Sequence, residues 1–396
     1  MRFLLPVVVV VVVAAACDGD PLFGGPPPIV VEGEGDEGEG EGEGEGEGEG
    51  EGEVGDCPAL SEASFGAAID LVTPRSRHTA SHLGLGRVLV VGGEDDTFGQ
   101  INNVEIVDVN AGTSSAGPAL NVARYEHAAV VLNNGDVVVA GGFGLTGHLT
   151  SIEVFDGVDW TEIGDLDEPR AGLSGFLLDG KAVFFGGDNA TSIPRTVVSV
   201  DEAGVVAVVE GVDIGANRRL HAAADVDNGT IIVVGGFFTS AIDTVTTFSF
   251  AGQETRAAVP GARRQAMAGS VDEGVVVAGG IGAPGFIADV ELFNPADGSW
   301  TSTGALVTPR ASAEVFAVGG CLAVCGGIGG DVGAPEGLSS CEGIDAEGVV
   351  LPMSSAVLPA ATFSFTLTPI GEGEALFVGG SLDASHVAEA RVLSTP

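Results

Sequence analysis

The sequence predicts an all-β fold, a β-propeller of seven repeated four-stranded sheets. A Gly-Gly pair ends a short apolar strand seven times, at intervals of 44 to 53 residues, and the first glycines are Gly92, Gly141, Gly186, Gly235, Gly279, Gly326 and Gly379. A four-residue apolar run bounded by glycines is typical of a strand buried on both faces. Turns such as Asn134-Gly135 precede these strands, and alternating strands such as 152–156 follow them. Such spacing indicates one blade per repeat.

The two ends of the repeated region predict how the ring closes. The last repeat stops shortly after its third strand, and residues 63–72 have the pattern of the missing outer strand. A propeller protects its strand edges in this way, because one terminus completes the blade begun by the other. Seven blades are favoured, with six as the alternative.

The full repeat has a recognisable order: strand, Gly-Gly, alternating strand, a turn followed by Trp160 or Trp300, and then Pro-Arg. This order resembles the kelch motif and covers residues 58–396. Several repeats lack the tyrosine and tryptophan that the motif usually carries. The resemblance implies a kelch-type propeller over residues 57–396.

The N-terminus predicts export and lipidation. Arg2 precedes an apolar run from Phe3 to Val13, and Ala14-Ala15-Ala16 stands directly before Cys17. An apolar core this short is typical of a secretory signal and falls below the roughly 20 residues that span a bilayer. The segment resembles a bacterial lipoprotein signal, which implies cleavage of residues 1–16 and acylation of Cys17. An ordinary secretory signal is the alternative.

Residues 17–56 are predicted to be a disordered tether. Glu32 to Glu53 is almost pure Glu-Gly alternation, which cannot build a core and expands by self-repulsion. Of the 56 acidic residues, 15 lie in residues 18–56, which leaves 41 acids and 14 bases in residues 57–396. This net charge of −27 disfavours nucleic acid as a partner. We expect a monomeric, membrane-anchored protein of the cell envelope, placed at the outer membrane or cell surface in preference to the inner membrane.

The cysteines of the folded region predict one disulfide within a blade. Cys321 and Cys325 lie four residues apart on one strand, roughly 13 Å at strand rise, which is too far to bridge. Cys341 aligns with the strand beside Cys325, so Cys325–Cys341 is predicted, and Cys57–Cys321 stays open as a second pair. Neither a metal site nor a cofactor is expected, because no histidine lies near these cysteines.

Arginines cluster at one position of the repeat, the entry to the innermost strand, and three are followed by histidine in an Arg-x-x-His pattern. The predicted ligand-binding residues are Arg75, Arg77, Arg124, Arg170, Arg218, Arg263, Arg310, His78, His127 and His221, with Arg219 and Arg264 at the same position. Phe98, Phe143, Phe237, Phe238 and Phe286 lie in the neighbouring loops. Guanidinium groups converging on a channel mouth would bind an anion. The alternative is that these arginines hold the blades together.

These patterns predict a non-catalytic, lipid-anchored scaffold whose arginine-rich face receives a protein or another anionic envelope ligand. Catalysis is not expected. Tyr125-Glu126 beside Arg124 satisfies only part of the tyrosine, glutamate and arginine triad of sialidase-type propellers, and Asp297-Gly298-Ser299-Trp300 fits a kelch turn better than a sialidase Asp-box. The sequence also has no Ser-His-Asp arrangement, phosphate loop or HExxH motif. The single tyrosine also excludes a copper-radical oxidase. The alternative function is a glycan-processing enzyme, sialidase- or epimerase-like, with Tyr125, Glu126 and the arginines in its pocket.

Overall fold

The computed structural model describes residues 60, 62–189, 191–226, 229–318, 320–371, 373–382 and 385–395. Every regular element among them is a β-strand, and the fold is a β-propeller. The predicted signal peptide, Cys17, the tether and Cys57 lie outside the described residues. The described part of the chain contains no helix long and apolar enough to span a bilayer.

Most of the described strands form seven antiparallel sheets of four or five strands, which we number as blades 1 to 7 in chain order, and the others form four smaller sheets. Blade 1 contains Thr79–Gly84, Arg87–Val91, Val104–Asp108 and Thr113–Ala116. Blade 2 contains Ala128–Val131, Val137–Ala140, Ser151–Phe155 and Trp160–Asp165. Blade 3 contains Ser174–Leu178, Lys181–Phe185, Thr196–Val200 and Val206–Asp213. Blade 4 contains Ala222–Asp225, Ile231–Val234, Val245–Ser249 and Gly252–Arg256.

Blade 5 contains Met267–Val271, Gly274–Ala278, Asp289–Phe293 and Trp300–Ala305. Blade 6 contains Glu314–Val318, Cys321–Cys325, Ser340–Ile344 and Val350–Val357. Blade 7 contains Thr366–Gly371, Glu374–Val378 and Glu389–Ser394, and its outer strand is supplied by Ser64–Phe65 and Ile69–Asp70. The predicted closure by the N-terminal segment is therefore confirmed. Blade 7 also packs against blade 1, so the ring is closed.

Short extra strands follow the second strand of several blades on one face of the ring. They are Phe143–Gly144 with Gly147–His148, Ile281–Gly282 with Gly285–Phe286, Ser381–Leu382 with Ser385–His386, and Arg310–Ala311 with Ile328–Asp331 and Ala334–Gly337. The core lies between neighbouring blades, where the apolar second strands are buried on both faces, as the Gly-Gly pattern predicts.

The Gly-Gly pairs join successive blades. In blade 2, a Cβ at Gly141 would lie 2.6 Å from the carbonyl oxygen of Arg170 in blade 3, and Gly142 donates its N–H to that same oxygen at 2.8 Å. Both glycines have positive φ. The first glycine permits the close approach and the second makes the hydrogen bond, which explains why the pair recurs.

The predicted disulfide Cys325–Cys341 is present, and its two residues are direct cross-strand partners in blade 6. Cys321 is also disulfide-bonded, and Cys57, its predicted partner, lies outside the described residues.

Candidate functional site

Six of the predicted ligand-binding arginines are fully buried, with no exposed side-chain surface: Arg75, Arg124, Arg170, Arg218, Arg263 and Arg310. In blade 2, Nη1 of Arg124 donates to the carbonyl oxygens of Gly141 at 2.8 Å and Ser151 at 3.0 Å. Its Nη2 donates to Glu153 at 2.6 Å. The prediction that these six arginines bind a ligand is therefore wrong, because their side chains are buried inside the blades and have no surface that a ligand could reach.

Where a buried arginine pairs with a glutamate of the third strand, that glutamate belongs to the same internal network. Glu153 also accepts the backbone N–H groups of Asn121 and Val122. Blades 1 and 6 repeat the arrangement with Glu105 and Glu342. Burial lowers the pKa of Arg124, and the charge of Glu153 opposes that effect. These pairs hold the innermost strand to the third strand and to the segment that enters the blade.

Blade 4 departs from this arrangement. Its third strand has Thr246 where blade 2 has Glu153, and Arg218 donates instead to three carbonyl oxygens and to the hydroxyl of Thr244. Burial without a carboxylate lowers the pKa of Arg218 to about 10, so this arginine is still charged at neutral pH.

The three predicted histidines are also buried, and they join blades instead of facing a ligand. The Nε2 atom of each one is hydrogen-bonded to a hydroxyl of the preceding blade: His78 to Thr366 at 3.1 Å, His127 to Thr79 at 2.9 Å and His221 to Ser174 at 2.9 Å. Burial, followed by the charge of the adjacent arginine, lowers the pKa of both His127 and His221 to about 3. Their predicted role in ligand binding is therefore wrong, and their role is interblade packing.

The residue two positions after each of the six buried arginines lines the centre of the ring, together with Ser364, which holds the same repeat position after Thr362. We call these seven residues the throat ring: Arg77, Glu126, Gly172, Leu220, Gln265, Ser312 and Ser364, all with positive φ. Backbone hydrogen bonds join neighbours in the ring, for example from the N–H of Glu126 to the carbonyl of Arg77 at 3.0 Å. Six of the seven are not glycine. Left-handed backbone at non-glycine residues costs about 1–3 kcal/mol each and persists only where the surrounding structure enforces it.

Arg77 is the one predicted binding residue whose guanidinium reaches the mouth of the channel. Its Nε lies 3.3 Å from Oε1 of Glu94, and its Nη1 lies 3.4 Å from Oε1 of Glu126. The guanidinium also lies over the ring of Tyr125, 5.6 Å from its centroid. Because one guanidinium contacts both carboxylates, these are no more than about 9 Å apart, and glycoside hydrolases hold their carboxyl pair roughly 5 to 9.5 Å apart.

Glu94 has a further partner from blade 7. Nε2 of His386 lies 3.6 Å from Oε1 of Glu94, and Nδ1 of the same ring lies 3.3 Å from Oδ1 of Asp96. Burial raises the pKa of Glu94, but the nearby imidazole of His386 and the charge of Arg77 outweigh it and lower the pKa overall. Glu94 is therefore ionised at neutral pH.

A second cationic group lies at blades 3 to 5. The guanidinium carbons of Arg219 and Arg264 both lie over the ring of Phe237, 5.4 and 5.1 Å from its centroid. Nη1 of Arg219 is 3.2 Å from Oδ2 of Asp188. The aromatic face and the aspartate fix the orientation of these guanidinium groups, so their donor edges are preorganised.

The sequence analysis did not single out Glu94, Asp188 or His386. For Glu94 and Asp188, the available sequence signal was their position directly after a Gly-Gly pair. A residue at this position forms a β-bridge with the residue directly after the buried arginine, as in Ser76–Glu94 and Ala171–Asp188. These two repeat positions lie at the mouth in most blades. No group of three or more potential metal ligands is found among the described residues.

No protein-family model matches the sequence, and no curated protein is similar to it in sequence. Among solved structures, the chain is similar to YjhT, with a TM-score of 0.55 and 16% sequence identity. The match covers 71% of this chain and 98% of YjhT. At this identity the likeness establishes the fold.

The prediction that the chain is not an enzyme is wrong. It rested on Tyr125-Glu126 beside Arg124 satisfying only part of the sialidase-type set. In the propeller fold that this chain shares with YjhT, Arg77 lies between two carboxylates beside Tyr125, and Arg219 and Arg264 lie at blades 4 and 5. A tyrosine, a glutamate and three arginines therefore all lie at the mouth.

Proposed function

We propose that this protein is a glycan-processing propeller enzyme, sialidase- or epimerase-like, which acts on an acidic sugar at the mouth of the central channel. The observation that supports this best is the pair of carboxylates, Glu94 and Glu126, held around Arg77 beside Tyr125. Two carboxyl groups at this separation can divide general acid and general base between them.

The arginines at blades 4 and 5 supply the specificity for an acidic sugar. Arg219 and Arg264 present planar guanidinium groups, which bind carboxylates with two parallel hydrogen bonds. Their fixed planes against Phe237 reduce the ordering that binding would otherwise require. The net charge of −27 on residues 57–396 disfavours large polyanions and leaves a single sugar carboxylate as the ligand of suitable size.

The two carboxylates have different environments, which assigns them different roles. Glu94 is kept ionised by Arg77 and His386, so it accepts a proton from a water or sugar hydroxyl. Glu126 belongs to the throat ring and contacts the same guanidinium. It enters the cycle protonated and gives that proton to the departing or epimerised centre, and the proton taken by Glu94 passes to solvent while Glu126 regains one from solvent. Tyr125, in the same segment, is the candidate nucleophile.

Turnover provides the test. The full-length protein is incubated with alkyl and aryl sialosides, uronides and free acidic sugars, and proton NMR follows both glycosidic cleavage and epimer exchange. At least one substrate should be converted, and Glu94→Gln and Glu126→Gln should each lower the rate at least about 100-fold. The control Glu202→Gln, an exposed carboxylate on blade 3, should leave the rate unchanged. No conversion across the panel, or full activity in both glutamine variants, would contradict the proposal.

We also propose that the enzyme is held at the cell envelope by a lipid on Cys17. The Ala14-Ala15-Ala16-Cys17 sequence supports this, as does the disulfide Cys325–Cys341, which is typical of an oxidising compartment. Metabolic labelling with a fatty acid should mark the native protein and leave Cys17→Ser unlabelled. An unlabelled native protein would contradict the anchor.

A further inference from the structure

Three large apolar side chains are exposed on the loops that surround the channel mouth. Phe98 of blade 1 is 59% exposed, Leu145 of blade 2 is 87% exposed and Phe238 of blade 4 is 53% exposed. We call these three residues the apolar rim. Single exposed apolar residues are ordinary, but several around one concave site mark a binding surface.

Each rim residue adjoins a group of the proposed active site. Phe98 packs against the ring of His386, with centroids 5.4 Å apart, and His386 in turn contacts Glu94. Phe238 directly follows Phe237, the ring on which the two arginines lie.

Leu145 has the same relation to blade 2. It forms the tip of the hairpin Phe143–Gly144 with Gly147–His148, and the Phe143 ring packs against Tyr125 with centroids 5.4 Å apart. Each of the three rim residues therefore lies next to a residue of the mouth.

We propose that the apolar rim binds the hydrophobic aglycone of an amphiphilic acidic glycoside, so that the natural substrate is a glycolipid. This inference rests on the proposed function and extends it by naming the substrate class. A free acidic sugar uses the guanidinium groups and carboxylates but has no alkyl portion for the rim. A polyanionic partner is opposed by the net charge of −27 on residues 57–396. A glycolipid combines one anionic sugar with an apolar chain, which matches the guanidinium groups of Arg219 and Arg264 beside the exposed Phe238.

The test uses two glycosides of one acidic sugar, methyl sialoside and octyl sialoside, with the matching pair of glucuronides. Isothermal titration calorimetry on the full-length protein measures each affinity below the micellar concentration. Burial of one CH₂ group strengthens binding about fourfold. Even if the rim buries only a few of the extra CH₂ groups, each octyl glycoside should bind at least about 30-fold more tightly than its methyl counterpart. Octyl glucoside, which lacks the acid, should bind more than 10-fold more weakly than the octyl glycoside of the acidic sugar.

The variant Phe98→Ser/Leu145→Ser/Phe238→Ser should lower the octyl-to-methyl ratio to about 3 or less while methyl affinity is unchanged. The matched control is Leu85→Ser, because Leu85 is also 87% exposed but lies in the turn on the opposite face of blade 1. A native ratio near 1, or a ratio that the rim variant retains, would overturn this inference and leave the proposed function standing. Failure of every acidic glycoside to bind would instead reject the proposed function.

Discussion

Replacing the His221–Ser174 pair should make the propeller less sensitive to acid. The variant His221→Leu/Ser174→Ala introduces the pair found between blades 2 and 3. There Leu173 occupies the repeat position of His221, Ala128 occupies that of Ser174, and both residues pack in one apolar cluster. Folded His221 has a pKa lowered to about 3 by burial and by the charge of Arg218, whereas an unfolded histidine has a pKa near 6.5.

The sign of the effect follows from proton binding. Between pH 6.5 and about 3 the unfolded chain binds a proton at this histidine and the folded chain does not. The stabilisation is therefore complete above pH 6.5 and is lost progressively as the pH falls toward 3. At pH 5 the loss for one such histidine is about 2 kcal/mol relative to pH 8.

Urea unfolding at pH 8 and at pH 5, followed by tryptophan fluorescence, measures this loss. The variant should lose about 2 kcal/mol less than the native protein between the two pH values. Ser174→Ala alone keeps the imidazole and should keep the native pH dependence. All other titrating groups are present in each of the proteins compared, so their contributions to the pH dependence of the free energy of unfolding cancel. Equal pH dependence in the native protein and the double variant would refute the reasoning.

Three further changes test the blade contacts by urea unfolding at pH 8. Arg124→Met should cost about 3–5 kcal/mol because it leaves Glu153 buried without its partner, and Arg124→Met/Glu153→Leu should recover most of that loss; no recovery would contradict the pairing. Gly141→Ala should cost at least about 2 kcal/mol more than Gly147→Ala, since a Cβ at Gly141 meets a carbonyl oxygen at 2.6 Å and one at Gly147 meets nothing within 4 Å. Cys325→Ser should cost about 3 kcal/mol through the lost loop closure, and an unchanged midpoint would argue against the disulfide.

The fold was predictable because its signals are local and repeated. A buried apolar strand before each Gly-Gly fixes the second strand of a blade, and the repeat spacing fixes the next one. The alignment of Cys341 with the strand beside Cys325 gave the correct disulfide by the same reasoning. The outer strand from residues 63–72 was also predicted, since a truncated last repeat requires one.

The site was only partly predictable, because repeat position locates a residue along a blade without giving the direction of its side chain. Arg75 and Arg77 are two residues apart, yet Arg75 is directed into its blade by the carbonyl oxygens of Gly92 and Asn103. Arg77 instead has left-handed backbone and lies at the mouth between carboxylates. Contacts between blades, such as His386 of blade 7 with Glu94 of blade 1, depend on ring closure and leave no local pattern.

The most direct test of a carboxylate-binding mouth is a titration with an unsaturated, planar analogue of an acidic sugar, measured by calorimetry on the full-length protein. We expect saturable binding of one molecule, weakened at least about 10-fold by Arg219→Gln/Arg264→Gln, which removes about 1.4 kcal/mol or more of binding free energy. The control Arg256→Gln changes an arginine on the outer strand of blade 4 and should leave the affinity unchanged. Binding that is absent, or that is equal in all three proteins, would contradict the assignment of the channel mouth as the active site.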